Sequence, residues 1–179
     1  MAPDASPPRQ AEAFRSVFWK EFSYVCHSLR RLGVRRNDLE DVAHDVFVAV
    51  VRHLHAYDPA RPLRPWLFGF AFRTALDYRR LARHQHEVVG AEVEAVDDAP
   101  GADAQQEATQ TRQLVAEALG AIELDRRAVF VMHDLDGHPM HEIADALGVP
   151  VNTAFSRLRL ARGEFRDAVT RIRLRRGER

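Results

Sequence analysis

Residues 138–165 read HPMHEIADALG, then VP, then VNTAFSRLRLARGEF. Ile143, Ala144 and Leu147 recur at helical spacing and give the first piece an inner face. Gly148 follows as a turn residue, free to take a conformation that a side chain resists. At about 100° per residue, Val151, Ala154, Leu158, Ala161 and Phe165 fall on one side of the second piece. Asn152, Ser156, Arg159, Leu160 and Gly163 lie broadly opposite, with Arg157 and Arg162 on the flanks. Helix, tight turn, helix is the pattern of a helix-turn-helix, whose second helix enters the major groove of duplex DNA. Its candidate DNA contacts are Asn152, Thr153, Ser156, Arg157, Arg159 and Arg162: Arg addresses guanine bidentately, Ser and Asn read base edges, and flanking Arg neutralises phosphate. The bland alternative is a helical hairpin with a solvated Arg face. Against it stands the local charge, eight Arg against Glu164 and Asp167 over residues 157–176.

That excess is hidden in the whole chain, where 26 Lys+Arg balance 26 Asp+Glu over 179 residues. The compensating acids sit upstream: residues 87–107, EVVGAEVEAVDDAPGADAQQE, hold seven acids and no Lys or Arg. Such a segment buries too little apolar area to offset its ordering entropy, and it reads as a solvated acidic linker. After it, helical periodicity returns through Leu114, Val115, Ala118, Leu119 and Ile122. A further helix is led by Leu124 and contains Ala128, Val129, Val131, Met132 and Leu135, and Asp136-Gly137 turns the chain. The expected C-terminal domain is therefore 108–176, ending with helices over about 139–147 and 151–168.

Before the linker, residues 11–86 are helical nearly throughout. Phe14, Val17, Phe18, Phe22, Val25 and Leu29 mark one buried face, and Gly33 ends that helix. Asn37 or Asp38 caps the next, whose apolar set is Leu39, Val42, Val46, Phe47, Val50, Val51 and Leu54. Opposite that set runs a polar stripe of Asp38, Asp41, His44 and Asp45, which repels DNA and suits solvent or a basic protein partner. Prolines at 59, 62 and 65 make a loop, and a third helix starts near Pro65-Trp66 and runs to about Arg83. In it aromatics and Arg interleave, Trp66 to Arg73 and then Tyr78, Arg79, Arg80 and Arg83. Rings on which bases stack, beside guanidinium groups that hold phosphate, are what single-stranded nucleic acid needs. Most of these rings fill the core, leaving one or two to face outward. No stretch alternates long enough for a strand, so the expected fold is all-α: two small helical domains joined by an acidic linker.

Cys26, the single cysteine, excludes an internal disulfide scaffold. No apolar run approaches the ~20 residues of a membrane span, and MAPDASPPRQ lacks a signal-peptide core. The expectation is a soluble cytoplasmic protein without membrane insertion. His133, His138 and His141 are close in sequence, but they lack a convincing further ligand or an HExxH pattern. No metal, cofactor or catalytic constellation is expected.

Together LEDVAHDVFVAV (39–50), YDPARPLRPWLFGFAFRTALDYRR (57–80) and LDRRAVFVMHDLDGHPMHEIADALGVPVNTAFSRLRLAR (124–162) resemble an ECF-type bacterial RNA polymerase sigma factor. The resemblance implies a promoter-recognition subunit without catalysis, partnered by core RNA polymerase and promoter DNA, and members are commonly held by an anti-sigma protein. It implies that Glu40, Asp41, His44 and Asp45 dock on the polymerase clamp, with His44 where Gln is frequent. It further implies that Arg64, Trp66, Arg73, Arg79, Arg80 and Arg83 belong to the element that opens the −10 region and captures single-stranded DNA. Arg73 stands there in place of a frequent Asn. The helix-turn-helix is the implied reader of the duplex −35 element, with Phe155 at a position that is often basic. The linker, by the same resemblance, threads toward the active centre of the polymerase. The rival reading is a dimeric helix-turn-helix regulator that is not a polymerase subunit; it explains 138–165 but not the block from Pro65 to Arg83.

Overall fold

Gly33 lies at φ +96, a conformation that favours glycine, and stops the first helix. In the computed structural model, which describes residues 7–89 and 103–177, the described residues form seven α-helices. They are α1 (Pro7–Arg31), α2 (Leu39–His53), α3 (Leu63–Val89), α4 (Asp103–Gly120), α5 (Leu124–Phe130), α6 (Met140–Leu147) and α7 (Val151–Arg176). Among the described residues there is no strand, so the all-α expectation holds.

Helices α1, α2 and α3 pack on one another around Val25, Leu29, Val46, Phe47, Leu67 and Phe68. Phe22 stacks on Phe47 with ring centroids 6.2 Å apart. The expected cap at Asp38 takes another form. Residues Arg36–Asp38 make a 3-10 turn, and Asp38 has no capping hydrogen bond. Its carboxylate instead accepts the Tyr78 hydroxyl at 2.5 Å, tying the start of α2 to α3. Helix α3 begins two residues before Pro65, which therefore sits in the first turn where its missing N–H breaks no bond.

The second unit is built on α5, α6 and α7, with α4 laid along α7. The regular helix at 124 ends at Phe130 and continues as a π-turn over Val131–Leu135. This wider turn carries Leu135, expected inside, to 38% exposure. Helix α7 continues eight residues beyond 168 because Ala168 and Ile172 prolong its buried face onto Ala118 of α4. Helices α3 and α4 also run into the acidic stretch, to Val89 and from Asp103, and residues 90–102 lie outside the described ones. The side chains of Phe14, Val17 and Phe18 lie outside them too.

The two units meet. α3 packs on α6, and the buried cluster runs from Val25 to Ala161 through both. Arg31 of α1 pairs with Asp136 at 2.6 Å, and Arg61 pairs with Asp145 at 3.1 Å. Exposed pairs of the second kind contribute about 0–1 kcal/mol. Full burial of one apolar side chain contributes roughly 1.5–3 kcal/mol, so the buried cluster that continues from one unit into the other outweighs the exposed Arg61–Asp145 pair in holding them together.

Candidate polymerase and nucleic-acid interfaces

On α2 the apolar residues Val42, Ala43, Val46, Phe47 and Val50 are buried, which leaves Glu40, Asp41, His44 and Asp45 exposed together. Val51, expected inside, is instead 48% exposed, and Val48 is 36% exposed. Both lie one and two turns beyond His44 on the same helical line. The face is thus acidic at its start and apolar at its end, a composition for a protein partner and not for DNA. The apolar half is hidden in the sequence because Val51 falls on the apolar period of α2, although the His44–Val48–Val51 line is visible in the spacing.

The loop and α3 gather the aromatic set. Phe68, Phe70 and Phe72 are buried, as the interleaved pattern anticipated. Tyr57 and Trp66 remain half-exposed at 4.8 Å between centroids, and Trp66 meets Phe70 edge-on at 4.9 Å. The Arg73 guanidinium lies 4.7 Å above the Phe70 ring, a cation–π contact on an otherwise exposed side chain. Arg64 is drawn aside: its Nε–H donates to Glu21 at 3.0 Å while the guanidinium sits over Tyr24 at 5.0 Å. Arg80 is exposed, Arg79 is half-buried and engaged, and the side chain of Arg83 lies outside the described residues. Tyr57 and Arg61, absent from the expected site, flank Trp66 directly; the loop prolines had made them look like mere connection.

The helix-turn-helix has the expected turn. Gly148 adopts φ +67 at the end of α6, and the Val149 N–H returns to the Ala144 carbonyl at 3.0 Å. At the start of α7, Asn152, Thr153, Ser156 and Arg159 are exposed, while Ala154, Leu158 and Ala161 are buried. The Ser156 hydroxyl donates to the Asn152 carbonyl at 3.0 Å, leaving its lone pairs outward. Val151, expected on the buried face, is 41% exposed because α7 starts there and no preceding turn covers it.

Two expected phosphate contacts are occupied within the fold. Arg157 donates to Asp125 at 2.6 Å, and Arg162 forks onto both Asp134 oxygens at 2.8 and 2.7 Å. The Arg162 guanidinium, helped by His133, holds the Asp134 carboxyl below its usual range. Phe155 is 54% exposed and Leu160 43%. Phe155 and Leu158 line an apolar groove beside Arg159, whose floor is the Phe130–Phe165 stack at 4.9 Å. Among the described residues no group of three or more His, Cys, Asp and Glu is arranged to hold a metal ion.

Comparison with known proteins gives these faces a family. The sigma-70 region 2 model matches residues 22–85, and the sigma-70 region 4 model matches 112–164. The chain is 31% identical over 161 residues to the RNA polymerase sigma factor CnrH of Cupriavidus metallidurans, covering 86% of this chain and 84% of that protein. The chain belongs to the ECF RNA polymerase sigma factors. It is also 26% identical over 157 residues to sigma factor NccH of Alcaligenes xylosoxydans, across 86% of this chain and 84% of NccH. The ECF sigma factor SigL of Mycobacterium tuberculosis matches at 29% over 153 residues, 85% of this chain and 86% of SigL. Among solved structures, CnrH in complex with the cytosolic domain of CnrY superposes with a TM-score of 0.62 at 26% identity, covering 89% of each chain. Sigma factor RpoE bound to the anti-sigma factor NepR from Bartonella quintana shares the fold, with a TM-score of 0.69 at 18% identity over 89% of this chain and 98% of that one.

This sigma factor therefore directs RNA polymerase to promoters, binding core enzyme and promoter DNA, and is not a free-standing regulator. No described helix is long and apolar enough to cross a membrane.

Proposed function

We propose a division of labour along the sigma factor. The α2 face of Glu40, Asp41, His44 and Asp45, extended by Val48 and Val51, grips the polymerase clamp. Tyr57, Arg61, Trp66, Arg73 and Arg80 take the separated −10 strand, by ring stacking and phosphate pairing. The start of α7 reads the −35 duplex through Asn152, Thr153, Ser156 and Arg159. Arg157 and Arg162 brace the recognition helix through Asp125 and Asp134. The observation that carries the reading is chemical opposition on one chain: an exposed acidic and apolar face on α2 and an exposed Asn, Ser and Arg face on α7. One is suited to protein, the other to base edges. Residues 87–107 are the acidic tether. The protein works in the cytoplasm without a cofactor, and an anti-sigma protein is among its partners; of its structural relatives, CnrH forms a complex with the cytosolic domain of CnrY and RpoE with the anti-sigma factor NepR.

Each domain alone offers little DNA-contacting surface, and tethering both to one polymerase supplies effective concentration. Free protein is expected to bind promoter duplex weakly and with strong salt dependence. Adding it to core enzyme is expected to start transcripts at defined sites in vitro; failure to start at any site in a genomic promoter library refutes the reading. Within that assay, Arg159→Ala is expected to cost ~1–3 kcal/mol at one −35 base pair. Equal loss across all −35 variants would make Arg159 a phosphate contact.

A further inference from the structure

Apolar side chains exposed singly are ordinary. The start of α7 instead exposes Val151, Phe155 and Leu160 close together, among the side chains assigned to the −35 duplex. Val151, Phe155 and Arg159 succeed one another at four-residue steps and so lie along one line of the helix. Phe155 is next to Ser156 in sequence and three residues after Asn152, which sets its ring at the border of the reading face. The groove that it lines is apolar at its floor and cationic at its rim, where Arg159, Arg162 and Arg166 stand. Asp134, the acid in that lining, is held by Arg162 and His133. A cationic rim around an apolar patch suits nucleic acid and opposes a basic protein surface.

We infer that Phe155 is a specificity-determining residue of the −35 interface, its ring reading the C5-methyl group of a thymine. The inference rests on the assignment of the start of α7 to the −35 duplex. Of the four bases, thymine alone turns a methyl group into the major groove; the others turn N7, O6 or amino groups there. A polar edge pressed against a phenyl ring loses water and gains no hydrogen bond, which is unfavourable. A methyl group against the same ring leaves water favourably. Phe155 therefore selects for thymine and against the other bases at one position. Arg159 sets where. Four residues span about 6 Å of helix, and successive base pairs lie about 3.4 Å apart, so the thymine lies within about two base pairs of the base that Arg159 addresses. Asn152, Ser156 and Arg159 read hydrogen-bonding groups, which thymine and uracil share. A response to the methyl group alone thus reports an apolar contact.

The test uses holoenzyme formed from the full chain and core enzyme. A promoter at which it starts transcription is prepared with its −35 region randomised. Parent, Phe155→Ala, Phe155→Leu and Arg159→Ala holoenzymes each select duplexes from this pool, and the bound DNA is sequenced. The parent is expected to enrich a thymine within about two base pairs of the position whose preference Arg159→Ala abolishes. Phe155→Ala is expected to lose that thymine, and Phe155→Leu to keep it in part. In the selected promoter, deoxyuridine in place of that thymidine removes the methyl group and nothing else. It is expected to weaken parent binding about fourfold, the effect of one buried methyl group, while Phe155→Ala holoenzyme binds both duplexes equally. Absence of an enriched thymine, uracil tolerated by the parent, or a methyl effect that persists in Phe155→Ala overturns the inference. Weaker binding of Phe155→Ala to core enzyme without DNA also overturns it and makes the ring a protein contact. Failure of the assignment beneath it is read separately: the parent pool then shows no preferred base anywhere in the −35 region.

Discussion

A sigma factor carrying Asp41→Arg together with Asp45→Arg is expected to lose initiation in vitro while keeping its helical circular dichroism and melting temperature. Both residues are exposed on α2, opposite the buried Val42, Val46 and Val50, so neither substitution enters the core. Surface changes away from special features stay within roughly 0.5 kcal/mol of neutral. At an interface the balance differs, because like charges brought face to face cost several kcal/mol. An acidic patch serves a basic partner surface, and two reversals are expected to weaken core binding about 100-fold, or ~2.7 kcal/mol. Fluorescence anisotropy with labelled sigma factor and purified core measures this. Retained core affinity would move the docking surface off α2. Val48→Asp is the independent check, since it removes the apolar end of the same face without adding positive charge.

The second large effect concerns Arg127, which is 4% exposed and, among the described residues, bonds to backbone carbonyls and to no carboxylate. Its Nε–H donates to the Ile122 carbonyl at 3.2 Å, and one terminal nitrogen donates to the carbonyls of Gly120 and Ile122, both at 2.8 Å. These are the last carbonyls of α4 and of the turn into α5, groups that a helix end leaves without partners. Burial, with Arg79 nearby, pushes the Arg127 guanidinium down to about 10. Holding the charge inside is thus costly, and it is tolerated because the planar fork reaches two carbonyls at once.

The conservative replacement is therefore expected to be the harmful one. Arg127→Lys keeps the buried charge and loses the fork, costing about 3 kcal/mol and lowering Tm by roughly 6–12 °C at this chain length. Arg127→Met loses the same bonds but also removes the buried charge, and is expected to fall between Lys and the parent. Thermal unfolding followed at 222 nm ranks the three; a Lys variant melting with the parent would show that the fork stabilises nothing.

The sequence announced more of the local structure than of the site. Helix periods, Gly33 and Gly148 as stops, and the burial of Phe68, Phe70 and Phe72 follow from spacing and backbone chemistry that act over a few residues. Where the structure departs from the local pattern, a distant partner intervenes. Ala118 of α4 prolongs α7 to Arg176, and Tyr78 takes the Asp38 carboxylate that looked like a cap. The outward face of the recognition helix was legible as Asn152, Ser156 and Arg159 because three sides of a helix are fixed once one is known to be buried. Which arginines on it are free to meet DNA was not legible, since Asp125 and Asp134 lie 32 and 28 residues away along the chain.

By itself, then, the order of residues determined an all-helical chain, its two units, the acidic stretch between them and the family to which they belong. Only the tertiary structure decided that the units close on each other, with Gly69 beneath Ala146, Arg31 on Asp136 and Arg61 on Asp145. The reason is one of range. Helix period and turn chemistry are written within a few residues, whereas these contacts join groups 84 and 105 positions apart, and no local pattern distinguishes an arginine that meets solvent from one that meets the other domain.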